Sequence, residues 1–249
     1  VTSHLLALLL SLIVFILAPR YGCTDIIGGH VVCPHSWPFM AAIQRENLTV
    51  CGGALAEKQW VLTAAHCKLK KAEVRVVLGA HQAHIAKKEQ QIFQILHYFP
   101  NPRFGKSSRE NDIKLLKVLC PFQSLTFCDS VIMFMPDSCE DIKHGTLCNI
   151  AGCGITSSGE PSEYLQEATF KIVDRKSCER KYRNYIKITN NMLCAIGKNK
   201  FVKRDACQAD SGGPLICADR YRGIVSFGKG CGRRDKPGVY TRLTEKYID

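Results

Sequence analysis

The sequence predicts an all-β protein, a barrel or a sandwich, on three observations. Short β-forming runs recur along the chain, turn residues punctuate them, and long helical periodicity is scarce beyond the N-terminal apolar stretch. The runs, in order, are 74–78 (Val-Arg-Val-Val-Leu), 92–95 (Ile-Phe-Gln-Ile), 168–173 (Ala-Thr-Phe-Lys-Ile-Val), 223–227 (Gly-Ile-Val-Ser-Phe) and 239–243 (Val-Tyr-Thr-Arg-Leu). They are rich in β-branched and aromatic residues, which suit a pleated, half-buried surface. Gly79, Pro100, Pro102, Gly145 and Gly159 supply the turns between such runs. Periodicity alone does not choose between barrel and sandwich.

The 249 residues suffice for one large or two small domains with a sizeable core. Hydrophobic content of 46% and charged content of 22% are ordinary globular values and exclude wholesale disorder. The 14 cysteines are unusual. No Cys-x-x-Cys pair or tight His/Cys cluster offers metal-ligand spacing, so an oxidising compartment is the better reading. Residues 5–18 are almost wholly apolar and match the core of a secretory signal. They are short for a membrane span, which needs about 20 residues, so no span is expected once the signal is removed. Val1 opens the chain in place of Met, which suggests a fragment at that end.

Net charge is +12, with 34 Lys and Arg against 22 Asp and Glu. Basic clusters fall at Lys68, Lys70 and Lys71, at Arg175, Lys176, Arg180, Lys181 and Arg183, and at Lys198, Lys200, Lys203 and Arg204. They lack the interleaved aromatics of a base-stacking surface, so nucleic acid is not the expected partner. An acidic glycosaminoglycan or proteoglycan and a merely solvated basic face are the two readings that remain.

Three segments carry chemistry. They are Val61-Leu62-Thr63-Ala64-Ala65-His66-Cys67, Asn111-Asp112-Ile113-Lys114-Leu115-Leu116, and Asp205-Ala206-Cys207-Gln208-Ala209-Asp210-Ser211-Gly212-Gly213-Pro214-Leu215. Acyl transfer from an amide needs a nucleophile, a base that takes its proton, and a group that orients the base. Ser211, His66 and Asp112 supply those three types, in the chain order His, Asp, Ser.

These motifs resemble the chymotrypsin-like serine proteases from Ile26 to the C-terminus. Within that family, Ile26-Ile27-Gly28-Gly29, Pro34-His35-Ser36-Trp37-Pro38-Phe39-Met40, Asp174-Arg175-Lys176-Ser177-Cys178 and Arg222-Gly223-Ile224-Val225-Ser226-Phe227-Gly228 resemble granzymes A and K. The resemblance implies two antiparallel Greek-key β-barrels with the active site in the cleft between them. Residues 26–131 would form the first barrel with His66 and Asp112, and residues 132–249 the second with Ser211 and the specificity pocket. It further implies an endopeptidase that cuts after Arg or Lys, secreted to a granule or the extracellular space, with no cofactor.

The same resemblance implies the remaining roles. Residues 1–23 would be the signal and residues 24–25 an activation dipeptide, removed by a dipeptidyl peptidase, since Asp25 rather than Arg or Lys precedes Ile26. The new ammonium of Ile26 would pair with Asp210 and order the oxyanion loop. Ala209 and Ser211 amides would form the oxyanion hole. Asp205 would form the pocket floor, Gly228 and Gly238 its walls, and Ser226, Phe227 and Gly228 an edge for the substrate backbone. Four disulfides carry over by position: Cys51–Cys67, Cys148–Cys217, Cys178–Cys194 and Cys207–Cys231. Asn47-Leu48-Thr49 is a glycosylation sequon. The segment after Gly79, with Ala80 and Lys88, lacks an acidic pair, and no calcium or other metal site is expected.

Some positions depart from the family pattern. Ala209 stands where the family has Gly; a turned amide there would cost about 10²–10³ in rate. That substitution and the surplus cysteines Cys33, Cys120, Cys128, Cys139 and Cys153 favour a rival reading, an impaired homologue acting as a basic binding module. Cys153 replaces a family Trp, and Arg103 replaces the dimer cysteine of granzyme A. The chain stops at Asp249, and the family's C-terminal helix is expected to be truncated.

Overall fold

The computed structural model describes residues 30–33, 36–46, 48–70, 73–82, 90–119, 135–136, 140–152, 162, 164–197, 211–229 and 236–244. Among these residues are thirteen strands and one helix, and every strand pair is antiparallel.

The first barrel is built from β2 (Met40–Arg45), β3 (Leu48–Glu57), β4 (Trp60–Thr63), β5 (Arg75–Leu78), β6 (Gln91–Pro100) and β7 (Lys114–Val118). They close in the order β2-β3-β4-β7-β6-β5. Closure removes exposed edges, so every strand in the ring pairs on both sides. In β7, residues 114, 116 and 118 are buried while 115 and 117 are partly exposed, the two-residue period of a strand with one face on the core.

The second sheet contains β1 (His30–Val31), β8 (Leu147–Gly152), β9 (Gln166–Ile172), β10 (Met192–Gly197), β11 (Pro214–Cys217), β12 (Arg220–Phe227) and β13 (Gly238–Arg242). Its order is β1-β9-β10-β13-β12-β11-β8, and β8 also pairs with β9, closing six of these strands into a second ring. β1 adds to that ring from the start of the described chain, pairing His30 with Glu167.

All five expected runs lie on or within one residue of these strands. The short helix α1 (Arg175–Tyr182) was not visible as periodicity. A local cap makes it: the Asp174 side chain accepts from the Ser177 amide, satisfying one of the free donors of the first turn. Cys178 and Tyr182, one turn apart, are its buried residues. The Cys178–Cys194 disulfide then ties the helix to β10.

The barrels share a core. Tyr221, Ile224 and Leu243 of the second pack into the cluster that holds Ile43, Leu55, Val76, Phe93 and Leu116 of the first. That packing sets the geometry of the cleft.

Candidate active site

His66 follows β4 directly. Its segment is held by Thr63, whose hydroxyl donates to Gly52 O at 2.8 Å, and by the Cys51–Cys67 disulfide. That bridge closes a 16-residue loop, worth about 3 kcal/mol by the chain-entropy account.

Asp112 precedes β7 and is wholly buried. Its neighbours Arg109 and Asn111 have φ of 56° and 52°, left-handed values that turn the chain sharply before the strand. Asp112 Oδ1 accepts the His66 main-chain N–H at 2.8 Å. Oδ2 lies 2.7 Å from His66 Nδ1 and accepts the Ser226 hydroxyl at 2.5 Å. Thr241 Oγ1 donates to Asp112 O at 3.0 Å. Burial alone would raise this carboxyl. The bonds from His66 and Ser226, with the charge of His66, outweigh burial and hold it below the usual carboxylate range. An ionised carboxylate only accepts, so Nδ1 carries a proton toward Asp112, and in the neutral form of the ring Nε2 presents the lone pair. The His66 side chain is 19% exposed, so the ring is not sealed inside the barrel.

Ser211 opens the loop before β11. Its carbonyl accepts the Gly52 N–H at 2.8 Å and lies 3.7 Å from Cys67 Sγ. The next residues bind the other barrel wall: Gly212 N–H donates to Val225 O, and Val225 N–H to Gly213 O, both at 2.9 Å. Gly212 has φ +87°, and a Cβ there would stand 2.2 Å from Thr63 Oγ1 and 2.6 Å from Gly52 O. Only glycine allows the Ser211 loop to lie this close to the His66 segment. A circuit of bonds therefore runs from the Ser211 loop to Val225, from neighbouring Ser226 to Asp112, to His66, and back through Cys67 and Gly52.

Of the predicted substrate residues, Ser226 is buried with its hydroxyl on Asp112, a partnership that the sequence reading missed. Phe227 ends β12 opposite Val239. A Cβ on Gly238 would meet Tyr240 Oη at 2.8 Å, so this position is closed to larger residues by its own wall. Cys51–Cys67, Cys148–Cys217 and Cys178–Cys194 form as expected. Among the described residues Cys33 is unpaired and exposed. Ile26, Asn47, Asp205, Cys207, Ala209, Asp210 and Cys231 lie outside the described residues, as do the signal, the activation dipeptide and Cys120, Cys128, Cys139 and Cys153.

Two cations near Asp112 were also missed. Arg109 Nη1 lies 3.8 Å from Oδ2. Lys114 is 7% exposed and donates from Nζ to Cys67 O at 2.7 Å. Burial pulls its ammonium below the usual lysine range, and the charge of Asp112 partly offsets this. The signal for Lys114 was its place at a core-facing position of a strand.

The family model described as Trypsin matches residues 26–249. The chain is 39% identical to granzyme A of Bos taurus over 232 residues, covering 91% of this chain and 86% of that protein. It is 36% identical to mast cell protease 3 of Ovis aries over 241 residues, covering 95% and 92%. Among solved structures, neuropsin, a serine protease expressed in the limbic system of mouse brain, superposes with a TM-score of 0.75 at 33% identity, covering 89% of this chain and 99% of that one.

Proposed function

The chain belongs to the trypsin family of serine proteases, and from that premise we propose that it hydrolyses peptide bonds after Arg or Lys through Ser211, His66 and Asp112. The observation that carries this reading is the double grip of Asp112 on His66, through Nδ1 and the main-chain N–H, with the Ser211 loop bonded across the same cleft. Nε2 of His66 takes the Ser211 proton as Oγ attacks the scissile carbonyl. The imidazolium so formed is stabilised by Asp112 and returns the proton to the leaving amine; His66 then takes a proton from water as it attacks the acyl-enzyme, and gives it to Ser211 Oγ as the acid leaves. The Ala209 and Ser211 amides receive the oxyanion.

Asp205, six residues before Ser211, supports the choice of Arg or Lys, because a carboxylate at the pocket floor pairs with a cationic side chain. Gly228 and Gly238 leave room for that chain, and the edge from Ser226 to Gly228 takes the substrate backbone as an added strand. Removal of residues 24–25 by a dipeptidyl peptidase, after the signal, frees Ile26 to pair with Asp210. Three disulfides and the apolar N-terminal stretch support secretion, to a granule or the extracellular space; Asn47 carries glycan there. A glycosaminoglycan is a second partner. The surface that supports it is α1 with Arg180 and Lys181, followed by Arg183, beside Lys229 and Lys236, whose ammonium groups lie over the Tyr185 ring.

The test is hydrolysis of a small Arg anilide by protein beginning at Ile26. Turnover is expected to vanish in Ser211→Ala, and to lose its preference for Arg over an uncharged residue in Asp205→Ala. A folded protein with no turnover above the Ser211→Ala control would overturn the protease reading and leave the binding module.

A further inference from the structure

We propose that Lys114 is a positioning residue of this active site: through its bond to the Cys67 carbonyl, it holds the main chain that carries His66 in line with Asp112. The inference rests on the protease reading above. Lys114 stands on the core face of β7 with Leu116 and Val118, which are 0% and 2% exposed. In register it faces Thr63 of β4 and Pro100 of β6. Among the described residues, Cys67 O is its hydrogen-bond partner. A buried ammonium is a costly way to fill a barrel, and an apolar side chain of similar volume would serve the core better. Packing therefore does not account for a lysine here, whereas its bond does.

The bonded carbonyl belongs to the residue that follows the base. His66 N–H is held by Asp112 and Cys67 O by Lys114, so two side chains from residues 112–114 grip two consecutive residues of the His66 segment. A main-chain rotation at 66–67 that frees Nδ1 from Oδ2 has to break a charge-assisted bond at each end. The disulfide alone does not prevent that rotation, because it fixes the Cys67 side chain and leaves its carbonyl free to turn.

The test uses Lys114→Met and Lys114→Gln in protein beginning at Ile26. Misplacement of a catalytic group lowers turnover more than binding, so Lys114→Met is expected to lower kcat about tenfold with KM within about twofold. Lys114→Gln returns a neutral N–H donor on a shorter arm and is expected to fall between Lys114→Met and the parent. A second readout needs no turnover. In the Ser211→Ala background, the downfield proton resonance of His66 Nδ1–H is expected to shift or broaden with Lys114→Met and to recover in part with Lys114→Gln. If Lys114→Met does not fold, the Gln variant decides alone: a lower kcat and a displaced resonance support the proposal, and parent-like values overturn it. A folded Met variant with unchanged kcat and resonance, or a Gln variant no better than Met, also overturns it. A parent without turnover would remove the protease reading and with it the catalytic role of Lys114; a resonance that still responds to Lys114 would then show only that it holds the His66 segment against Asp112.

Discussion

At the scale of single residues, Gly212 decides whether the two barrels present one site. Its φ of +87° and the 2.2 Å approach of a built Cβ to Thr63 Oγ1 leave no room for a methyl group. Left-handed strain and overpacking together predict that Gly212→Ala loses about 2–4 kcal/mol of stability. Denaturant unfolding measures it, and an unchanged midpoint would contradict the packing described. That His66, Asp112 and the Ser211 loop would come together was legible in the sequence, because acyl transfer demands those three residue types and each sits in a dense motif. The Ser226 hydroxyl on Asp112 was not, because the two lie 114 residues apart and nothing local marks the contact. Lys114 was hidden for the opposite reason: a lysine in an apolar run reads as a surface residue until a closed barrel turns it inward.

At the scale of elements, α1 is anchored by Arg175. Its guanidinium donates to both oxygens of Asp141, at 2.5 and 2.9 Å, and Arg242 of β13 lies 3.6 Å from the same carboxylate. Burial would raise the Asp141 carboxyl; the bonds and charge of Arg175, with the charge of Arg242, outweigh it and leave the group below its usual value. A folded-state value below the unfolded one means stability that is fully present above about pH 4 and is lost as pH falls through the folded value. Asp141→Asn is therefore expected to lower Tm at pH 7, with the gap to the parent closing as pH falls below about 4. Melting curves across that range check it, and a gap that stays constant with pH would contradict the role of the charge. The strands themselves were largely legible, since β-branched runs between turn residues mark them without tertiary information. The helix was not, because eight residues with two buried positions give too little periodicity, and its cap is a single Asp-to-amide bond.

At the scale of the whole molecule, periodicity reached all-β and stopped there. Two closed rings depend on which strands pair, and the β2–β5 and β8–β11 pairings within them join segments far apart in the chain. The family resemblance supplied that topology, and the structure adds β1, which leaves the early chain to join the second ring. The net charge of +12 belongs to this scale too. If the basic surface around α1 and Tyr185 binds a sulfated polysaccharide, retention on heparin is expected to fall steeply with salt, since exposed charges are screened over about 8 Å at physiological ionic strength. Retention that salt does not weaken, or none at low salt, would contradict a polyanion partner.

If the two barrels assemble one activated serine, Ser211 reacts with an electrophile that an ordinary serine hydroxyl does not touch. Phosphonylation by a fluorophosphonate tests this most directly, because the reaction needs a serine whose proton is removed and a site that accepts the developing oxyanion. In protein beginning at Ile26, intact-mass and peptide analysis should find one adduct, on Ser211, and His66→Ala should abolish it. A folded protein that takes no adduct on Ser211, or takes it equally without His66, would contradict the account.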